Sequence, residues 1–238
     1  MSGRAFAEVN PKTIFENAKK KIELKNMRMV INLETTDGKG NSKSKILDIS
    51  FAEFEQFNKI MVVFTAPKNV AGTKIITTDY PEKKDIIEIY FPATGKIQKI
   101  KANQRNLKMM GSEIPINQWS IDINDDYEFS LLSEKLYNKV LCYRIKVYKK
   151  KSREYGVLFV SKTKEELLCV EKYNMSDKMI SLTEMGNYIK IPATENHFYP
   201  SEIKVTNLKT KRKSIMTVKS VNKLLNAKIE DFTLSTKE

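Results

Sequence analysis

One histidine and two cysteines are the residues of this 238-residue chain best suited to metal or nucleophilic chemistry. His197 stands between Asn196 and Phe198, just before Tyr199-Pro200. A structural zinc ion takes four ligands, mostly cysteine and histidine. One histidine and two distant cysteines do not supply them. Nor do they assemble a Cys-His or Ser-His-Asp arrangement, so His197 is expected in a turn. Cys142 and Cys169 both fall in apolar, strand-like stretches; one cross-sheet disulfide or two buried thiols fit them equally. Asp122, Asn124, Asp125 and Asp126 carry the donor types of a calcium loop but lack its central glycine and terminal glutamate. The eight glycines form neither a GxGxxG turn nor a P-loop. No catalytic residue, metal ligand or cofactor is assigned, and the chain is expected not to be an enzyme.

Composition sets the next limits. The formal charge is +13 and the isoelectric point about 9.5. Such a balance suits nucleic acid, an anionic membrane or acidic partners. The lysines are spread along the chain, as in Lys19-Lys20-Lys21, Lys83-Lys84 and Lys149-Lys150-Lys151. No strand alternates basic with aromatic residues, so nucleic acid is not an expected partner. No apolar run reaches the length of a membrane-spanning helix. Ala5-Phe6-Ala7 before Glu8 has the small-x-small form of a signal-peptidase site. Residues 1–9 are therefore expected to be a disordered remnant of a cleavage region. Residues 10–238 are expected to be one domain.

The elements that would carry any site are mostly strands. Asn10 can cap and Pro11 can start a helix in which Ile14, Phe15, Ala18 and Ile22 share a face, ending near Leu24. From Met27 onward, apolar and polar residues alternate. Met29, Ile31 and Leu33 form one face; Leu47, Ile49 and Phe51 another. The spacing predicts strands over 27–36, 45–51, 59–65, from Ile75, 86–91 and 97–100. Later strands are predicted over 141–148, 155–161, 167–173, 179–183, 188–191, 202–207 and 214–221, and 127–132 fits strand or helix. Turn signals, among them Gly72-Thr73, Pro92-Ala93 and Met185-Gly186-Asn187, separate them. Eleven or so antiparallel strands with one helix imply a barrel or a deeply curved sheet. Ten methionines suit an adaptable apolar lining.

The motif order resembles that of the outer-membrane lipoprotein-sorting protein family with the LolA/LolB-like fold, in its stand-alone periplasmic branch. Phe64, Pro67, Val70, Gly72 and Thr73 match one segment, and Ile89-Tyr90-Phe91-Pro92-Ala93 a second. Lys96 to Ile100 follows it. Met110-Gly111-Ser112 matches a third. Tyr199-Pro200, Ile203 to Asn207, Thr217-Val218 and Asp231-Phe232-Thr233-Leu234 match the closing strands. Two positions depart from the pattern. Glu113-Ile114-Pro115-Ile116-Asn117 stands where an acidic, aromatic segment follows Gly-Ser, and Glu88 stands where a tryptophan is usual.

The resemblance implies a mainly β fold: a highly curved, incompletely closed antiparallel half-barrel with an N-terminal helix and a short helical or loop lid. It implies a monomeric periplasmic carrier that holds the acyl chains of a lipoprotein, or another lipid, and passes them toward the outer membrane. An inner-membrane transporter is an implied partner. The alternative is a non-transporting accessory or sensor subunit of such a transporter. Alternation places Met29, Ile31, Leu33, Leu47, Ile49, Val62, Phe64, Ile87, Ile89, Phe91, Leu141, Tyr143 and Ile145 on the expected cavity face. Met109, Met110, Ile114 and Trp119 are the expected lid.

Overall fold

A computed structural model describes residues 9–80, 85–101, 108–114, 126–192, 194 and 197–234, apart from the side chains of Lys101 and Met110. Its one α-helix, α1 (Pro11–Ile22), forms for the expected local reasons. The Asn10 side chain accepts from the backbone N–H groups of Lys12 at 2.9 Å and Thr13 at 3.3 Å, and Pro11 fills the first turn. Lys19, Lys20 and Lys21 end it, where cations complement the helix dipole.

Thirteen strands follow: β1 (Met27–Thr36), β2 (Ser42–Glu53), β3 (Asn58–Ala66), β4 (Lys74–Asp79), β5 (Ile86–Phe91), β6 (Lys96–Lys101), β7 (Tyr127–Tyr137), β8 (Val140–Lys149), β9 (Tyr155–Ser161), β10 (Leu167–Tyr173), β11 (Met179–Lys190), β12 (Phe198–Asn207) and β13 (Lys213–Lys223). They form one antiparallel sheet in the order β6-β5-β4-β3-β2-β1-β13-β12-β11-β10-β9-β8-β7. Neighbouring strands are consecutive in sequence except where β1 meets β13, so the first and last strands meet mid-sheet. The two edges, β6 and β7, are not hydrogen-bonded to each other, and the half-barrel stays open.

Three sequence expectations change in detail. The sheet has thirteen strands rather than about eleven. The segment from Tyr127, which fitted strand or helix, is a strand continuing to Tyr137. The turn expected at Met185-Gly186-Asn187 is not a break: β11 runs through it, and pairing with β12 keeps one register from Gly186↔Glu202 to Tyr188↔Pro200. Asn187 takes a positive φ of 53°, and Ser201 Oγ donates to its carbonyl at 2.6 Å. The glycine and asparagine thus bend a strand instead of reversing it.

Alternation buries one face of the sheet almost completely. Rows of side chains cross the strands: Met29, Ile49, Val62, Ile75 and Ile89 in one, Ile31, Leu47 and Phe64 in the next. Ile14, Phe15 and Ala18 of α1 pack on Ile145, Leu158, Val160 and Leu167 toward the other flank. Ile22 and Met185 touch both groups and join them. A separate cluster of Cys142, Val157, Phe159 and Cys169 lies on the opposite face of β8, β9 and β10. The two thiols are free and buried. They sit on strands separated by β9, where Cys142 pairs with Ser161 and Cys169 with Phe159. Two strand spacings are about 10 Å, beyond the reach of a disulfide.

Candidate functional site

The buried face of the half-barrel has two ends, and non-sheet chain occupies each. At one end lies the C-terminal half of α1. At the other lies a tight loop, residues 108–114.

The loop closes on itself before it contacts the sheet. Met109 N–H donates to the Ile114 carbonyl at 2.8 Å, and Ser112 N–H to the Met109 carbonyl at 2.8 Å. Gly111 supplies the positive φ of 79° that the turn needs. Met109 and Ile114 then insert into the main apolar cluster and are buried there. They plug the groove rather than lie across it.

A polar latch holds the plug. The Glu113 side chain is only 5% exposed. Its Oε1 lies 3.3 Å from Arg212 Nε, its Oε2 accepts from Asn207 Nδ2 at 3.0 Å, and Lys108 Nζ pairs with it directly. Glu113 N–H donates to Ser214 Oγ at 2.8 Å, and Arg212 also donates to the Gly111 carbonyl. A buried carboxylate is tolerated only when paired and hydrogen-bonded, and this one is both.

At the α1 end the packing leaves a cavity of about 130 Å³. Ile22, Leu24, Phe51, Ile60, Met185 and Ile203 supply its apolar wall. Lys19, Lys25, Lys59, Glu23, Glu53 and Asp79 supply its rim. Lys25 bonds Glu53 at 2.5 Å, and that bond raises the ammonium pKa. Lys59 donates to the Phe232 carbonyl at 2.9 Å, while burial lowers its pKa and Glu88 partly opposes the shift. Phe232 stands edge-on to Phe54, with ring centres 6.0 Å apart, and docks the C-terminal segment on the β2–β3 hairpin.

The expected cavity residues are distributed as follows. Met29, Ile31, Leu33, Leu47, Ile49, Val62, Phe64, Ile87 and Ile89 belong to one buried cluster, with Phe91 half-buried against it. Ile145 and Tyr143 lie in the α1-facing cluster. Leu141, near the start of β8, is 44% exposed and belongs to neither. In this state the buried members fill the groove themselves, and a drug-sized ligand would need several times the open volume. Of the expected lid, Met109 and Ile114 form the plug, the Met110 side chain is not among those described, and Trp119 lies outside the described residues.

Sequence reading did not single out the latch residues Lys108, Glu113, Asn207, Arg212 and Ser214, nor Ile22, Leu24, Phe51, Ile60, Met185 and Ile203 as cavity walls. One signal was present: Glu113 is a lone carboxylate in the otherwise uncharged run Met109-Met110-Gly111-Ser112 to Ile114. Among the described residues, no three His, Cys, Asp or Glu side chains are placed to hold a metal ion. Asp122, Asn124 and Asp125 lie outside them. No described helix is long and apolar enough to cross a membrane.

A family model described as "Uncharacterized protein"-like matches residues 56–236. No protein of curated function matches the sequence. Solved structures do. A domain named for outer membrane lipoprotein sorting, from Vibrio parahaemolyticus, superposes with a TM-score of 0.81 at 18% identity, over 94% of this chain and 97% of its own. A DUF1329 family protein from Desulfovibrio piger gives 0.81 at 17% identity, over 95% and 98%. A LolA superfamily protein from Nitrosomonas europaea gives 0.71 at 15% identity, over 94% and 98%. At these identities the likeness is one of fold.

Proposed function

The chain belongs to the family matched over residues 56–236 and has the LolA-type fold, and from that premise we propose that it is a non-catalytic carrier for an acyl chain. One observation carries the proposal. The concave face is apolar from β5 to β10, and its covers, α1 and the plug, are local segments outside the strand ladder of the sheet. The cargo is the acyl part of a lipoprotein or another lipid, and the compartment is the periplasm, in line with the role that names the Vibrio relative.

Each methylene taken out of water contributes about 0.8 kcal/mol, so a single acyl chain supplies enough to displace a local cover. The present state is then the closed one. The groove holds its own side chains in the place of a chain, and the cavity beside Ile22 and Ile60 is where entry begins. Methionines 29, 109, 185 and 216 give the lining the flexibility to repack around cargo.

Mass analysis of an organic extract of gently purified protein tests this reading. The expected result is an acyl lipid or acylated peptide in stoichiometric amount. Protein that carries no acyl ligand, whether isolated or after incubation with dispersed lipid, contradicts it.

A further inference from the structure

The lysines that look scattered in sequence are gathered by the fold. At the plug end, residues 34–45, 67–74, 92–96, 108–114, 126, 149–154, 174–178 and 208–213 bring sixteen lysines and arginines together with six carboxylates. Among the described residues at the α1 end, segments 19–25, 53–59, 79–80, 85, 101, 138–139, 161–166, 190–192 and 223–231 hold twelve cations and nine carboxylates. Among the described residues, the excess of positive charge is therefore polarised onto one rim.

Two exposed apolar side chains project from adjacent turns of that same rim. Met175, between β10 and β11, is 68% exposed, and Leu208, between β12 and β13, is 40% exposed. Leu208 N–H donates at 3.0 Å to the carbonyl of Ile180, at the start of β11 just past the turn that carries Met175. Lys178 and Lys209 flank them. Cations around apolar tips suit a surface with anionic headgroups over hydrocarbon, and each lysine near such a surface adds to the attraction. Nucleic acid would be served by the charge but not by an exposed methionine and leucine.

We propose that the plug-end rim docks on an anionic phospholipid surface, with Met175 and Leu208 inserting among the headgroups. The proposal rests on the carrier reading for its purpose, because docking holds a lipid carrier at a lipid surface. Its test is separate.

Wild-type protein is sedimented with phosphatidylcholine vesicles, with or without about 30 mol % phosphatidylglycerol, at low salt and at about 0.5 M. Binding is expected only with phosphatidylglycerol and to weaken with salt. The variant Lys178→Glu/Lys209→Glu/Lys213→Glu is expected to lose at least about tenfold in partition. Met175→Ser/Leu208→Ser is expected to lose about threefold or more while keeping the salt dependence. Lys20→Glu/Lys139→Glu/Lys223→Glu, at the other end, should stay close to wild type. Equal binding to both vesicle types, or rim variants that bind like wild type, overturns the proposal. So does tighter binding to duplex DNA than to phosphatidylglycerol vesicles, with no effect of Met175→Ser/Leu208→Ser. An acyl probe titrated without vesicles reads the groove alone: vesicle binding without probe binding sinks the carrier reading, and the reverse sinks the rim.

Discussion

Arg212 Nε stands 3.3 Å from Glu113 Oε1 and ties the start of β13 to a loop about a hundred residues earlier in the chain. Glu113 is buried whereas its two cations are half exposed, so the pair is asymmetric. Removing the carboxylate leaves cations that water can solvate; removing the cations strands a buried charge.

The latch therefore yields an ordered set of stabilities. Glu113→Ala should lower unfolding free energy by about 2 kcal/mol through lost hydrogen bonds. A Glu113→Gln/Arg212→Gln cycle should show a coupling of about 1 kcal/mol or more. Hydrogen exchange of residues 108–114 should quicken in the same variants. Urea unfolding reads the first two quantities, and no coupling in the cycle would mean that the pair does not hold the plug.

The plug-end turns depend on two glycines. A Cβ on Gly38 would meet the Thr210 carbonyl oxygen at 2.6 Å, so Gly38→Ala must separate the β1–β2 and β12–β13 turns. Gly72 has φ of 81°, which costs an L-residue about 1 kcal/mol, and Pro92 already sits 3.4 Å from its Cβ position. Both alanine variants should melt lower than wild type. Gly40→Ala, with a similar φ and no neighbour within 4 Å, separates strain from crowding.

Alkaline pH should loosen the face opposite the groove. Burial pushes the Cys169 thiol up to about 12 from an ordinary value of 9.0, and burial raises Tyr173 to about 12 as well. Between those values the unfolded chain has lost the Cys169 proton and the native state keeps it. Stability conferred by the neutral thiol is thus full below pH 9 and declines as pH rises toward 12. Melting temperatures across that range should fall, less steeply in Cys169→Ala. The thiol should also resist alkylation in the native protein at pH 8.

Much of this architecture was legible because alternation is a local signal. Met29, Ile31 and Leu33 can be put on one face from sequence alone, and the helix announces itself through Asn10 and Pro11. Strand continuity at Gly186-Asn187 was not legible, since those residues also make turns and only pairing with Glu202 and Pro200 decides between the two. The meeting of β1 with β13 rests on contacts far apart in sequence, and so does the latch, whose members lie on the 108–114 loop, on β12 and β13 and in the turn between them. The charge polarity was hidden for a related reason. Lys43, Lys96, Lys150 and Lys209 are remote along the chain and are seen to share one rim only when the topology is known.

The central claim, that the groove takes an acyl chain by displacing its own covers, is tested most directly by titrating wild-type protein with a fluorescent fatty acid. Ile22→Asp is the companion variant, its melting curve recorded alongside, because Ile22 lines the cavity and joins the two apolar clusters. Saturable binding, displaced by unlabelled fatty acid and weakened at least about tenfold in Ile22→Asp, is the predicted result. Absence of saturable binding, or equal binding by the folded variant, would contradict the account.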